Sequence, residues 1–144
     1  MPKAFRSRIL KNERGIEMGA WGTKLWEDDL SCDIQDEWND FLDDGLSPKK
    51  ATRLIEESWL QELTDGVEDE DGRADVALLY ISLAALQMRH QALTRKTRQK
   101  ALFWLEKGAD LHLWEEGDEA DYLERKRVLE EFKEKLMNAK ARFF

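Results

Sequence analysis

Apolar residues recur at helical spacing along most of the chain, and no segment alternates convincingly over five residues as a half-buried strand would. Trp26, Leu30, Ile34, Trp38 and Phe41 lie three or four apart and predict a first helix from about Glu27 to Asp44. Asp28 or Asp29 suits its N-cap, and Gly45 suits the position that ends it. Ser47-Pro48 opens a second helix running to Leu63, with Ser47 as cap and Pro48 at the first helical position. Its inner stripe is Ala51, Leu54, Ile55, Trp59 and Leu63. Residues 64–72 read as an acidic loop. A third helix, Ala74 to His90, is apolar nearly all round, so it must be central with neighbours on several sides. Thr94 caps and Gly108 stops a fourth helix, Arg95 to Lys107, whose inner face is Ala101, Leu102, Trp104 and Leu105. Leu111, Leu113 and Trp114 then tuck a connecting segment against the core. Tyr122, Val128, Leu129, Phe132 and Leu136 stripe a fifth helix, Asp118 to Ala139. The expected fold is all-α: a compact bundle of about five helices around a central apolar helix.

Composition adds bounds to this picture. The 144 residues suffice for one domain with its own core. Six Trp and six Phe argue against disorder even though 38% of residues are charged. No apolar run approaches the ~18 residues of a membrane span, and one Cys cannot close an internal disulfide. A cytoplasmic protein without a membrane partner is expected. The net charge of −8 disfavours general nucleic-acid binding.

That charge is unevenly placed. Residues 1–17 carry net +3, residues 18–72 net −13 and residues 73–144 net +2. The first seventeen have no clear period and lack the apolar stretch of a signal peptide. The codons for Glu13-Arg14-Gly15 can form a purine-rich run ahead of Met18. We therefore expect residues 1–17 to be a non-native or disordered basic extension before a single helical domain at 18–144. The alternative is a true basic arm that binds something acidic.

Catalytic patterns are scarce. Cys32 sits among carboxylates, which raise a thiol pKa and disfavour a nucleophile. There is no G-x-S-x-G elbow, no phosphate-cradling glycine loop and no Glu-x-x-His pair. In the 64–72 segment, a calcium-loop register puts Val67 and Leu78 where carboxylates are required. No catalytic residue, metal ligand or cofactor is expected. One constellation stands out: Asp29, Asp33, Asp36, Glu37, Asp40, Asp43 and Asp44 on the first helix, with no Lys or Arg from Glu27 to Asp44. Like charges at i,i+4 repel by a few tenths of a kcal/mol each, and interspersed lysines usually offset them. The array either recognises a basic partner, holds a divalent cation, or is simply solvated.

Met18-Gly19-Ala20-Trp21-Gly22-Thr23, followed by Trp26-Glu27-Asp28-Asp29-Leu30-Ser31-Cys32-Asp33, resembles a bacterial family of unknown function, catalogued as domain of unknown function 4259. The likeness continues at Gly45-Leu46-Ser47-Pro48, Leu83-Ala84-Ala85-Leu86-Gln87 and Gly108-Ala109-Asp110-Leu111, covering roughly residues 18–137. It implies a start at Met18 and no known activity, cofactor or site. Gly19 and Gly22 let the backbone turn tightly on either side of the Trp21 ring, which either plugs the end of the bundle or borders a pocket with Glu27 and Asp28.

The expected function is therefore non-enzymatic recognition of a basic protein, in the manner of an immunity protein neutralising a toxin. The expected partner-binding set is Trp21, Glu27, Asp28, Asp29, Asp33, Asp36, Asp40, Asp43 and Asp44. The alternative is a metal-dependent enzyme or small-ligand binder using the first-helix carboxylates.

Overall fold

A computed structural model describes residues 22–63 and 70–142. The basic extension at 1–17, Trp21 and most of the acidic loop lie outside the described residues. Within them the chain forms five α-helices: α1 (Asp29–Asp43), α2 (Pro48–Leu63), α3 (Glu70–Arg89), α4 (Arg95–Glu106) and α5 (Glu119–Asn138). A 3-10 turn, Leu111–Trp114, joins α4 to α5. The all-α bundle expected from hydrophobic periodicity is the fold observed.

Side-chain chemistry sets most helix starts. Asp28 accepts the Ser31 N–H at 2.7 Å and caps α1. Ser47 Oγ accepts the Lys50 N–H at 3.1 Å ahead of Pro48. Thr94 and Asp118 do the same for α4 and α5. Each such cap satisfies a first-turn amide that has no partner within the helix. The start of α3 differs from expectation. Residues 70–72, read as loop because of their acids and Gly72, are helical. Acidic residues in a first turn meet the positive helix end, so charge that suggested a loop is compatible with a helix start.

Three helices end in one motif. After α1, the Gly45 N–H donates to Leu42 O and the Leu46 N–H to Phe41 O. After α4, Gly108 and Ala109 donate in the same way to Leu105 and Trp104. Gly45 and Gly108 take the required positive φ, at 92° and 97°. After α3, Gln91 fills the glycine place at φ 55°, and Gln91 and Ala92 donate to Met88 and Gln87.

The apolar run of α3 makes it the centre of the bundle. It packs against α1, α2 and α4 at once. Leu79, Ile81, Leu83 and Leu86 are fully enclosed, and burial of each such side chain contributes ~1.5–3 kcal/mol. Leu30, Ile34 and Trp38 of α1 and Ala51, Ile55 and Trp59 of α2 close over it. Trp26, Phe41 and Leu54 are only partly buried.

Helix α5 packs on α4 and the 3-10 turn through Leu129, Phe132 and Leu136. Tyr122 and Val128 are only partly buried, whereas Arg125, on the same stripe, is 1% exposed. An isolated parallel bridge joins Thr94 to Arg142. There the Arg95 N–H donates to Arg142 O (2.8 Å) and the Arg142 N–H to Leu93 O (2.7 Å). No described helix is long and apolar enough to cross a membrane.

Candidate functional site

The acidic helix divides into residues absorbed by the fold and residues left in water. Asp28 belongs to the first group. It is buried, and its carboxylate caps α1. Burial pushes this carboxyl above its usual range, against the Ser31 hydrogen bonds and the nearby Arg125, which favour the charged form. Glu27 turns back on its own loop, its Oε1 accepting the Lys24 N–H at 3.0 Å. Gly22 makes this possible, because a Cβ there would stand 2.3 Å from that oxygen. Glu37, at the apolar border of α1, accepts the Trp59 indole N–H at 3.1 Å. Asp29 and Asp33 are partly buried and have interactions within the fold.

Asp36, Asp40, Asp43 and Asp44 are exposed. Among the described residues no Lys or Arg forms an ion pair with any of the four. The last turn of α1 holds no basic residue, so its acids face the negative helix end unopposed. Of the nine residues expected to bind a partner, the structure therefore leaves these four available side by side, and Trp21 is outside the described residues. Among the described residues no three His, Cys, Asp or Glu side chains converge to hold a metal ion.

Cys32 lies against this helix start. Its thiol donates to Trp26 O, with sulfur and oxygen 3.1 Å apart. Burial, with Asp28, Asp36, Asp29 and Asp33 nearby, pushes its pKa up to about 11. Trp26 itself adopts φ 70°, a costly conformation for a bulky residue. Its ring lies under the Arg89 guanidinium at 5.3 Å.

Behind the 22–28 loop is a buried polar clamp that the sequence reading missed. The Arg125 guanidinium binds Asp110 through two parallel hydrogen bonds, Nε to Oδ1 and Nη2 to Oδ2, both 3.1 Å. Its Nη1 donates to Thr23 O at 3.0 Å. The Trp114 indole N–H also reaches Asp110 Oδ2, at 3.3 Å. These bonds tie the loop before α1 to the 3-10 turn and α5.

A second polar region lies on another side of the bundle, where α2 and α4 begin. A cleft of about 460 Å³ opens between their first turns. Its floor includes Gln87 of α3, which is 1% exposed. Gln87 Nε2 donates to Thr52 Oγ1 of α2 (2.9 Å), and its Oε1 accepts the Thr94 N–H (3.0 Å). One buried amide thus fixes both walls. At the edge, Glu56 accepts from Tyr80 Oη (2.7 Å) and Lys100 Nζ (3.0 Å). Burial opposes ionisation of Glu56, but these bonds together outweigh it and hold the carboxyl below its usual range. Burial and the Glu56 charge push the Tyr80 phenol up.

Comparisons with protein-family models, curated proteins and solved structures gave no match to this chain.

Proposed function

We propose that the protein is a non-enzymatic recognition protein whose acidic α1 flank engages a basic protein, in the manner of an immunity protein neutralising a basic toxin. The observation that supports it is the row Asp36, Asp40, Asp43 and Asp44, exposed and without an ion-paired cation among the described residues. Asp36/Asp40 and Asp40/Asp44 are i,i+4 pairs, and such like-charge neighbours destabilise a helix by a few tenths of a kcal/mol each. The row also crowds the negative end of the α1 dipole. A fold that retains this arrangement fits an external cationic surface that relieves it. The bacterial family resembled over roughly residues 18–137 adds no activity to this reading.

The test is recovery of partners from the native host with the wild type and with a variant carrying Asn at 36, 40, 43 and 44. The reading predicts a basic protein that binds the wild type, is lost with the variant, and associates more slowly as ionic strength rises. Equal recovery by both forms would refute it.

A further inference from the structure

We propose that the cleft between the first turns of α2 and α4 is closed by the chain's own continuation past Arg142, with the ring of Phe144 seated in it.

The path of the backbone is the first reason. After α5 the chain turns back to the start of α4. Arg98 Nη1 donates to Ala139 O at 2.7 Å, and the parallel bridge then sets Arg142 directly beside Thr94. Thr94 is part of the cleft lining. Phe143 and Phe144 lie outside the described residues, but two residues span at most ~7 Å, so the bridge delivers them to the cleft rim.

Register selects between the two rings. Thr94 is extended, at φ −100° and ψ 155°. Residues paired across a bridge point to the same side, and successive residues alternate. Arg142 therefore shares a side with Thr94. Continued for two residues, this register sends Phe143 to the opposite side and returns Phe144 to the side of the cleft.

The surface of the cleft is the third reason. Its polar groups are already committed to one another. Thr52 Oγ1 donates to Pro48 O (2.8 Å) and accepts from Gln87, Gln87 Oε1 accepts the Thr94 N–H, and Thr94 Oγ1 accepts the Thr97 N–H. What is left open is mainly carbon: threonine methyls and the stems of lysine and arginine. About 460 Å³ is ample for one aromatic side chain. Arg53 and Lys96, exposed in the lining, offer cations to the face of a ring placed there. The chain makes such pairs elsewhere: Lys100 lies 4.9 Å from the centre of the Tyr80 ring and Lys107 5.3 Å from that of Phe103.

The test is nuclear magnetic resonance of the whole protein. In the wild type, the Phe144 ring protons should show Overhauser contacts to the Thr52 and Thr97 methyls. Phe144→Ala should move both methyl resonances and speed hydrogen exchange of the Arg95 and Arg142 amides at least about fivefold, because the bridge loses its anchor. Phe143→Ala should leave the two methyls in place.

A Phe144 ring without contact to either methyl in the wild type would overturn the assignment. So would methyl shifts produced by Phe143→Ala in place of Phe144→Ala, or amide exchange unchanged in Phe144→Ala. Mixing isotope-labelled and unlabelled protein supplies one more decisive outcome: ring-to-methyl contacts that cross between the two populations would assign the cleft to a second copy and refute closure by the chain's own residues.

Discussion

Replacing Arg125 with Met tests whether the buried clamp holds the loop before α1 in place. The side chain is 1% exposed and its partner Asp110 is 7% exposed, so solvent screens the pair little. Met keeps most of the volume, which limits the cavity contribution, but it leaves the Asp110 carboxylate buried without its cation and bonded to the Trp114 indole N–H. It also strips Thr23 O of its donor. Breaking a buried pair from one side costs about 3–5 kcal/mol. Unfolding entropies near 2.1 cal/mol/K per residue convert this to a fall in Tm of roughly 10–20 °C.

The assay is thermal unfolding followed by far-ultraviolet circular dichroism, with the same measurement on Asp110→Asn and on the double variant. Removing both charges avoids the orphaned carboxylate, so the double variant should lose less than the sum of the two single losses, by roughly 1–3 kcal/mol. A single Arg125→Met variant melting within 2 °C of wild type would refute the reasoning, as would strict additivity.

Other expectations follow from the packing and the titrating groups. Leu83→Asp places a charge at the centre of α3, at a fully buried position, and should abolish the cooperative melt. Gln91→Gly removes a positive-φ strain at the end of α3 and should raise stability by roughly 0.5–1 kcal/mol, read from denaturant midpoints. Because the Glu56 pKa is lowered on folding, its contribution is complete above the ordinary value of 4.5 and is lost as pH falls through the folded value. Glu56→Gln should therefore flatten the acid limb of a stability–pH profile. Asp28 acts in the opposite sense: its folded pKa is raised, so its charged form costs stability above 3.8, and acidification relieves that cost. Gly22→Ala should displace the Glu27 carboxylate from the Lys24 amide, visible as a shifted Lys24 resonance with a small loss of stability.

Much of the fold was legible because local chemistry and periodicity agree. Ser47-Pro48, Thr94 and Asp118 mark helix starts by their side chains, and Gly45 and Gly108 mark ends by their freedom at positive φ. The end of α3 was less visible because Gln91 performs a glycine's role without being one. Arg125 was missed for a different reason. Tyr122, Arg125, Leu129, Phe132 and Leu136 keep the three-four spacing of a buried stripe, and the arginine occupies an apolar register. That misfit was the available signal for an internal ion pair, but its partner, fifteen residues upstream, carries no periodic mark.

The acidic flank was legible as charge and not as geometry. Spacing alone does not separate Asp28, a cap, or Glu37, an indole acceptor, from Asp40 in open water. The cleft between α2 and α4 had no motif to announce it, since its walls come from three helices that meet only after folding.

The sulfur beside Trp26 makes a timer for the opening of this turn. With a pKa of about 11, roughly one molecule in ten thousand holds a thiolate at neutral pH. Alkylation of the closed form is correspondingly slow, and reaction speeds up when the turn lets go of the thiol and admits water. The rate at which Cys32 accepts a neutral alkylating label thus counts local excursions at the entrance to α1. The same reluctance to ionise slows disulfide formation between copies stored in air.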